Sequence, residues 1–194
     1  MSFAEILSRV TAALDATGIA YMLTGSFASV FYGAPRSTQD IDLVIASTAD
    51  QLRAFITRLP NDEYYADVDA ALDAYKREEL FNVIDLKTGW KIDMIIRKSR
   101  AFSWEEFNRR QQLTLQGVSL FVASAEDVII AKLEWSKLGQ SQRQIEDAVG
   151  ILSYGGTRSI ATIWRSGFES YIYRMNGERS NASPTSLDLS IFPE

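Results

Sequence analysis

Two stretches decide how this chain is read: Tyr21-Met22-Leu23-Thr24-Gly25-Ser26 and Arg36-Ser37-Thr38-Gln39-Asp40-Ile41-Asp42-Leu43. In the first, an apolar run ends in Gly-Ser. In the second, an apolar run carries two aspartates one residue apart. Side chains on a strand alternate between faces, so Asp40 and Asp42 point the same way while Ile41 and Leu43 enter a core. Like charges side by side on a half-buried strand repel, and nothing in folding favours the arrangement. A divalent cation removes the conflict. The expectation is a metal-dependent enzyme acting on a phosphate-bearing substrate; the plainer alternative is an exposed edge strand with solvated carboxylates.

Working outward, residues 3–17 read as an amphipathic helix, with Phe3, Ile6, Leu7, Val10 and Leu14 at helical spacing, Ser2 as N-cap and Gly18 at its end. Ile19–Leu23 is a short strand, and a brief helix starts at Gly25-Ser26 and runs to Gly33. The second strand covers Asp40–Ile45. A helix with Leu52, Phe55, Ile56 and Leu59 on one face stops before Pro60. Asp62–Glu79 reads as a loop and a surface helix. Phe81–Leu86 and Lys91–Ile96 form a hairpin around Thr88-Gly89, the second arm carrying Asp93 in an apolar alternation. Ser103 with Glu106 opens a further helix. Short strands at Leu113–Leu115 and Val118–Val122 follow. Ser124 caps a long helix through Leu138, and Gln142–Tyr154 forms another, ended by Gly155-Gly156. From Asn176 onward the chain is rich in Ser, Asn and Pro, the composition of a poorly ordered tail. The expected organisation is a core over residues 1–122, a helical part over 123–175 packed on it, and a tail over 176–194.

Composition narrows the chemistry. A hydrophobic content of 46% over 194 residues supports a real core. The net charge of -5 argues against a surface built mainly to hold nucleic acid, although Arg97, Lys98, Arg100, Arg109 and Arg110 fall close together. With neither cysteine nor histidine, Ser-His triads, thiolate sites and His-ligated zinc are excluded. Any metal must bind through oxygen, which points to Mg²⁺ or Mn²⁺. No apolar run is long enough to span a bilayer, and a soluble cytoplasmic protein is expected.

Asp40, Asp42 and Asp93 all fall on expected strands. If the strand of Asp93 lies beside that of Asp40, the three carboxylates share a face. That suits a two-metal site, with cations about 3.5–4 Å apart clamping the attacking and leaving oxygens of a phosphoryl transfer. Gly25 lets a phosphate approach the backbone, and the Ser26 hydroxyl donates to it. Arg36 and Thr38, between the two halves, are candidate nucleotide contacts, with ordinary loop chemistry as the alternative. Lys132 reads as a solvated or snorkelling helix lysine, Glu134, Glu146 and Asp147 as charges on helix faces, and Trp90, Trp104, Trp135 and Trp164 as core or interface anchors.

Gly25-Ser26, thirteen intervening residues and Asp40-Ile41-Asp42-Leu43 resemble the signature of the DNA polymerase β-like nucleotidyltransferase superfamily. The Arg36-x-Thr38-x-Asp40-x-Asp42 string and the Ser124–Leu133 helix resemble its minimal bacterial branch, which includes AbiEii-type abortive-infection toxins and other toxin–antitoxin nucleotidyltransferases. The resemblance covers roughly residues 1–154. It implies an α/β (α+β type) fold with a mixed twisted sheet flanked by helices, Mg²⁺ (or Mn²⁺), an NTP donor, and transfer of a nucleoside monophosphate with release of pyrophosphate. By position, Asp40 and Asp42 would bind metal, and Asp93 would complete the site and serve as base. Gly25 and Ser26 would hold the donor's phosphates, and Lys132 would neutralise phosphate charge. Where that branch often has proline before the Glu-Asp of the late helix, Ala125 stands here. The acceptor is left open among tRNA, a small molecule and a protein hydroxyl, and an antitoxin is the partner the branch implies. Two other functions fit the same residues: a catalytically silent nucleotide- or partner-binding module, and a metal-dependent nuclease, which the Gly-Ser turn disfavours.

Overall fold

The fold is seen in a computed structural model, which describes residues 3–33, 38–139 and 141–154. The chain runs α1 (Phe3–Ala16), β1 (Ala20–Thr24), α2 (Gly25–Phe31), β2 (Asp40–Ala46), α3 (Ala49–Arg58), β3 (Tyr64–Ala66), α4 (Val68–Arg77), β4 (Leu80–Asp85), β5 (Lys91–Ile96), α5 (Ala101–Asn108), β6 (Gln111–Leu115), β7 (Val118–Val122), α6 (Ala125–Gly139) and α7 (Gln142–Tyr154). The strands form one seven-stranded sheet in the order β3-β4-β5-β2-β1-β7-β6. The pairs β2/β5 and β1/β7 are parallel and the rest antiparallel. The expected mixed sheet flanked by helices is what the chain forms.

Alternation sets the layers. Ile41, Leu43 and Ile45 of β2, and Ile92 and Met94 of β5, lie on one face of the sheet with no or almost no solvent contact. They need an apolar cover, and Ile6, Leu7, Val10 and Leu14 of α1 with Leu52 and Phe55 of α3 are buried to the same degree. On α2, Ser26, Ala28 and Ser29 are buried, and α2, α6 and α7 pack on one another. The opposite sheet face carries Asp40, Asp42, Lys91 and Asp93, none of them fully buried.

Local signals place most ends. Gly18, at φ +67°, turns the chain out of α1. Thr48 opens α3 with a capping box: its hydroxyl accepts from the Gln51 N–H at 3.2 Å, and the Gln51 side chain accepts from the Thr48 N–H at 2.9 Å. Gln51 also donates to the Gly18 carbonyl at 2.8 Å, which ties α3 to the end of α1. Thr48→Ala is therefore expected to lower stability by about 1 kcal/mol, seen as a drop in Tm of roughly 2–4 °C.

The structure departs from the sequence reading in three places. Tyr64–Ala66, read as loop, is an edge strand paired with β4. α5 begins at Ala101, not at a Ser103 cap; Ser103 sits inside the helix and accepts from the Arg100 side chain at 3.0 Å. Lys132 and Asp147, read as solvated, are both buried and paired at 2.7 Å. Ser2, Arg36, Gly155-Gly156, Trp164 and the expected tail lie outside the described residues. Among the described residues no helix is long and apolar enough to cross a membrane.

Candidate active site

The central strand β2 carries the site because it is paired on both sides. Asp42 is the antiparallel partner of Thr24 on β1 and the parallel partner of Asp93 on β5. Asn82 on β4 is in turn the partner of Asp93. Residues in register share a face, so Thr24, Asp42, Asp93 and Asn82 form a polar row across four strands. Asp40 lies two residues before Asp42 on the same face, in register with Lys91.

Gly25 brings the turn against this row. Its φ is +64°, which disfavours any side chain, and a Cβ built there would lie 1.9 Å from Asp42 Oδ2. The absence of a side chain is what lets the backbone reach the carboxylate. The Ser26 N–H hydrogen-bonds to Asp42, and the Ser29 hydroxyl donates to the Gly25 carbonyl at 2.9 Å. The sequence-derived Gly-Ser cradle and Asp42 are thus one cluster.

Asp93 is fixed at both oxygens: Asn82 Nδ2 donates to Oδ1 at 2.5 Å and Lys91 Nζ to Oδ2 at 3.2 Å. Lys91 also reaches Asp40 Oδ1 at 3.4 Å, so its ammonium bridges Asp40 and Asp93. The side chain of Asp40 is 54% exposed against 14% for Asp93. The three aspartates share a face, but among the described residues no three carboxylates are gathered as a ready cation cage. Thr38 lies before β2 and its hydroxyl accepts from the Asp40 N–H at 3.2 Å, a local turn contact. Lys132 donates to Asp147 and also contributes positive charge at Asp42.

Lys91 and Asn82 escaped the sequence reading. The signal for Lys91 was its place two residues before Asp93 on an alternating strand; its partner Asp40 follows only from the β2/β5 register. Asn82 carried no signal until β4 was placed beside β5.

Electrostatics single out Asp42. Burial pushes its carboxyl up to about 6 from an ordinary 3.8, and the neighbouring Asp93 pushes the same way, against the Ser26 N–H and the Lys132 charge. Asp42 and Asp93, in register on adjacent strands, with Asp40 on the same face, offer oxygen donors only, the ligand type that a hard divalent cation takes. A second carboxyl, Glu106 on α5, is raised to about 7 by burial and by Asp127. Both groups bind a proton more tightly in the folded chain than in the unfolded one. In chelator, stability is therefore expected to fall as pH rises, through 3.8 to about 6 for Asp42 and 4.5 to about 7 for Glu106. Urea midpoints across pH 4–8 check this; Asp42→Asn should remove the lower part of the slope and Glu106→Gln the upper part.

A mixed sheet with a Gly-Ser turn seated against an Asp-x-Asp strand, and a further aspartate in register on the adjacent parallel strand, has the architecture of the nucleotidyltransferase fold. The chain belongs to the family described as "Nucleotidyltransferase of unknown function (DUF6036)", which matches residues 3–149. No curated protein sequence matches it. The fold is similar to the solution structure of the antibiotic-resistance factor ANT(2'')-Ia, at TM-score 0.51 and 13% identity over 90% of this chain and 97% of that one. It is equally similar to an antigenic nucleotidyltransferase-like protein from Paracoccidioides brasiliensis, at TM-score 0.51 and 15% identity over 89% of this chain and 90% of that one. At these identities the likeness concerns the fold.

Proposed function

We propose that this chain is a divalent-cation-dependent nucleotidyltransferase that moves a nucleoside monophosphate from an NTP to an acceptor hydroxyl, releasing pyrophosphate. The observation that carries the reading is the register match of Asp42 with Asp93 beside Gly25-Ser26. Asp40, Asp42 and Asp93 would hold Mg²⁺ or Mn²⁺, which when bound supplies charge neutralisation at the phosphates. Gly25 seats the backbone of the turn directly against Asp42, and the Ser26 hydroxyl offers a donor to the phosphates. The acceptor oxygen attacks the α-phosphorus, the bond from that phosphorus to the bridging oxygen breaks, and pyrophosphate leaves with the bonding electrons. The acceptor's proton passes to Asp93, whose carboxylate Asn82 and Lys91 keep in one orientation.

Lys132 serves at one remove, lending charge to Asp42 while paired with Asp147. The Arg36–Asp42 string and the Ser124–Leu133 helix support a place beside the AbiEii-type toxins, with a cognate antitoxin as partner. Incubation with each α-labelled NTP, Mg²⁺ and total cell extract tests the activity. Label retained in RNA, protein or a small molecule identifies the acceptor class. Calorimetric NTP·Mg²⁺ binding with no labelled fraction would instead favour a silent binding module.

A further inference from the structure

The basic residues grouped in sequence at 97–110 separate into two kinds in the fold. Arg100 forks onto Glu134 at 2.7 and 2.9 Å, and Arg109 onto Asp127. Both are accounted for as ties from the two ends of α5 to α6. Arg97 and Arg110 are not: among the described residues neither has a carboxylate partner.

These two guanidiniums rest on an aromatic shelf. Arg97 lies 3.4 Å above the Trp104 ring and 5.3 Å from that of Phe107. Arg110 lies 4.3 Å from the same Phe107 ring and 4.9 Å from Phe121. Arg110 donates to the Phe107 carbonyl at 2.6 Å, while the Nε atoms of both arginines are buried with no hydrogen-bond partner. Stacking on rings accounts for where each guanidinium rests and is worth about 0.5–1 kcal/mol at an exposed site. It does not account for two like charges sharing one ring with no anion between them. The conflict mirrors that of Asp42 and Asp93 with the sign reversed, and an oxyanion resolves it. Guanidinium forks suit phosphate oxygens in particular. Arg97 continues the alternation of Asp93 and Ile95, so it follows the carboxylate face about 13 Å along from Asp93.

We propose that Arg97 and Arg110 form a phosphate-binding site distinct from the Gly25-Ser26 turn. The phosphate comes either from a free polyphosphate or from a nucleic-acid strand lying along that face. Titration in chelator keeps the carboxylate site from contributing, and Trp104, 47% exposed beneath Arg97, gives a fluorescence signal. The probes are inorganic pyrophosphate and a short single-stranded RNA, each against wild type, Asp42→Asn, Lys98→Gln, Arg97→Gln and Arg110→Gln, with circular dichroism as the folding control. Wild type, Asp42→Asn and Lys98→Gln should bind alike. Each arginine change should weaken binding about tenfold, the scale of losing one charged hydrogen-bond partner. Arg97→Lys should recover only part, because it lacks the fork. RNA binding displaced by pyrophosphate points to a strand as the source, and pyrophosphate binding alone to the free ion. Wild type that binds neither probe overturns the proposal without recourse to any variant, as does unchanged affinity in folded Arg97→Gln and Arg110→Gln.

Discussion

Asp42→Asn is expected to abolish nucleotide transfer and, in chelator, to make the folded chain more stable. Loss of one preorganised electrostatic contact in an active site costs about 10²–10³ in rate, and loss of a cation ligand should cost at least that. The gain in stability follows from the raised carboxyl. Burial and Asp93 both disfavour the charge at residue 42, and asparagine removes that charge while its carbonyl oxygen can still accept from the Ser26 N–H. Allowing for its partial exposure, relief of about 1–2 kcal/mol is expected near neutral pH, a rise in Tm of roughly 2–8 °C. Opposite signs on the two readouts separate this account from simple misfolding, which would lower both. Calorimetric melting in chelator and transfer assays on the same preparation are the measurements. A variant that transfers nucleotide at the wild-type rate would remove Asp42 from the mechanism.

Gly25→Ala should be among the most damaging single-atom-group additions the fold can suffer. The new carbon would meet Asp42 Oδ2 at 1.9 Å, Cγ at 2.5 Å and Cβ at 2.9 Å. The Cβ contact matters most, because that atom is fixed by β2 and cannot rotate away. Added to the cost of a left-handed backbone for alanine, the loss of stability should be about 2–5 kcal/mol. A double-mutant cycle isolates the clash: in an Asp42→Gly background the same alanine should cost only the backbone part, about 1–2 kcal/mol. Equal losses in both backgrounds, read as urea midpoints, would show that the two residues do not collide.

How much of this was legible beforehand depended on the range of the interaction. Alternation in residues 40–45 and 91–96 revealed both site strands and assigned Asp40, Asp42 and Asp93 to a polar face, because the period of a strand is a local property. The short strand Tyr64–Ala66 was invisible, since its only warrant is pairing with β4 across a helix. α5 lacked a side-chain cap, so Ser103 offered a false start. Lys132 and Asp147 lie on different helices, and nothing in either segment alone announces a buried pair. Of the tryptophans read as anchors, Trp90 does pack on Phe3 and Phe27, while Trp104 and Trp135 are exposed. The Lys91 bridge and the Asn82 contact needed strand register, which tertiary packing supplies.

A ladder on each flank of β2 means that the strand bearing Asp42 has no lengthwise play. Sliding by one position would sever both ladders at once and swing the acidic groups to the wrong side of the sheet. The location of the reacting groups is accordingly all-or-none, not adjustable by degrees. Mutational drift at the outer strands β3 and β6 can loosen or tighten the domain as a whole while leaving the spacing at its centre untouched.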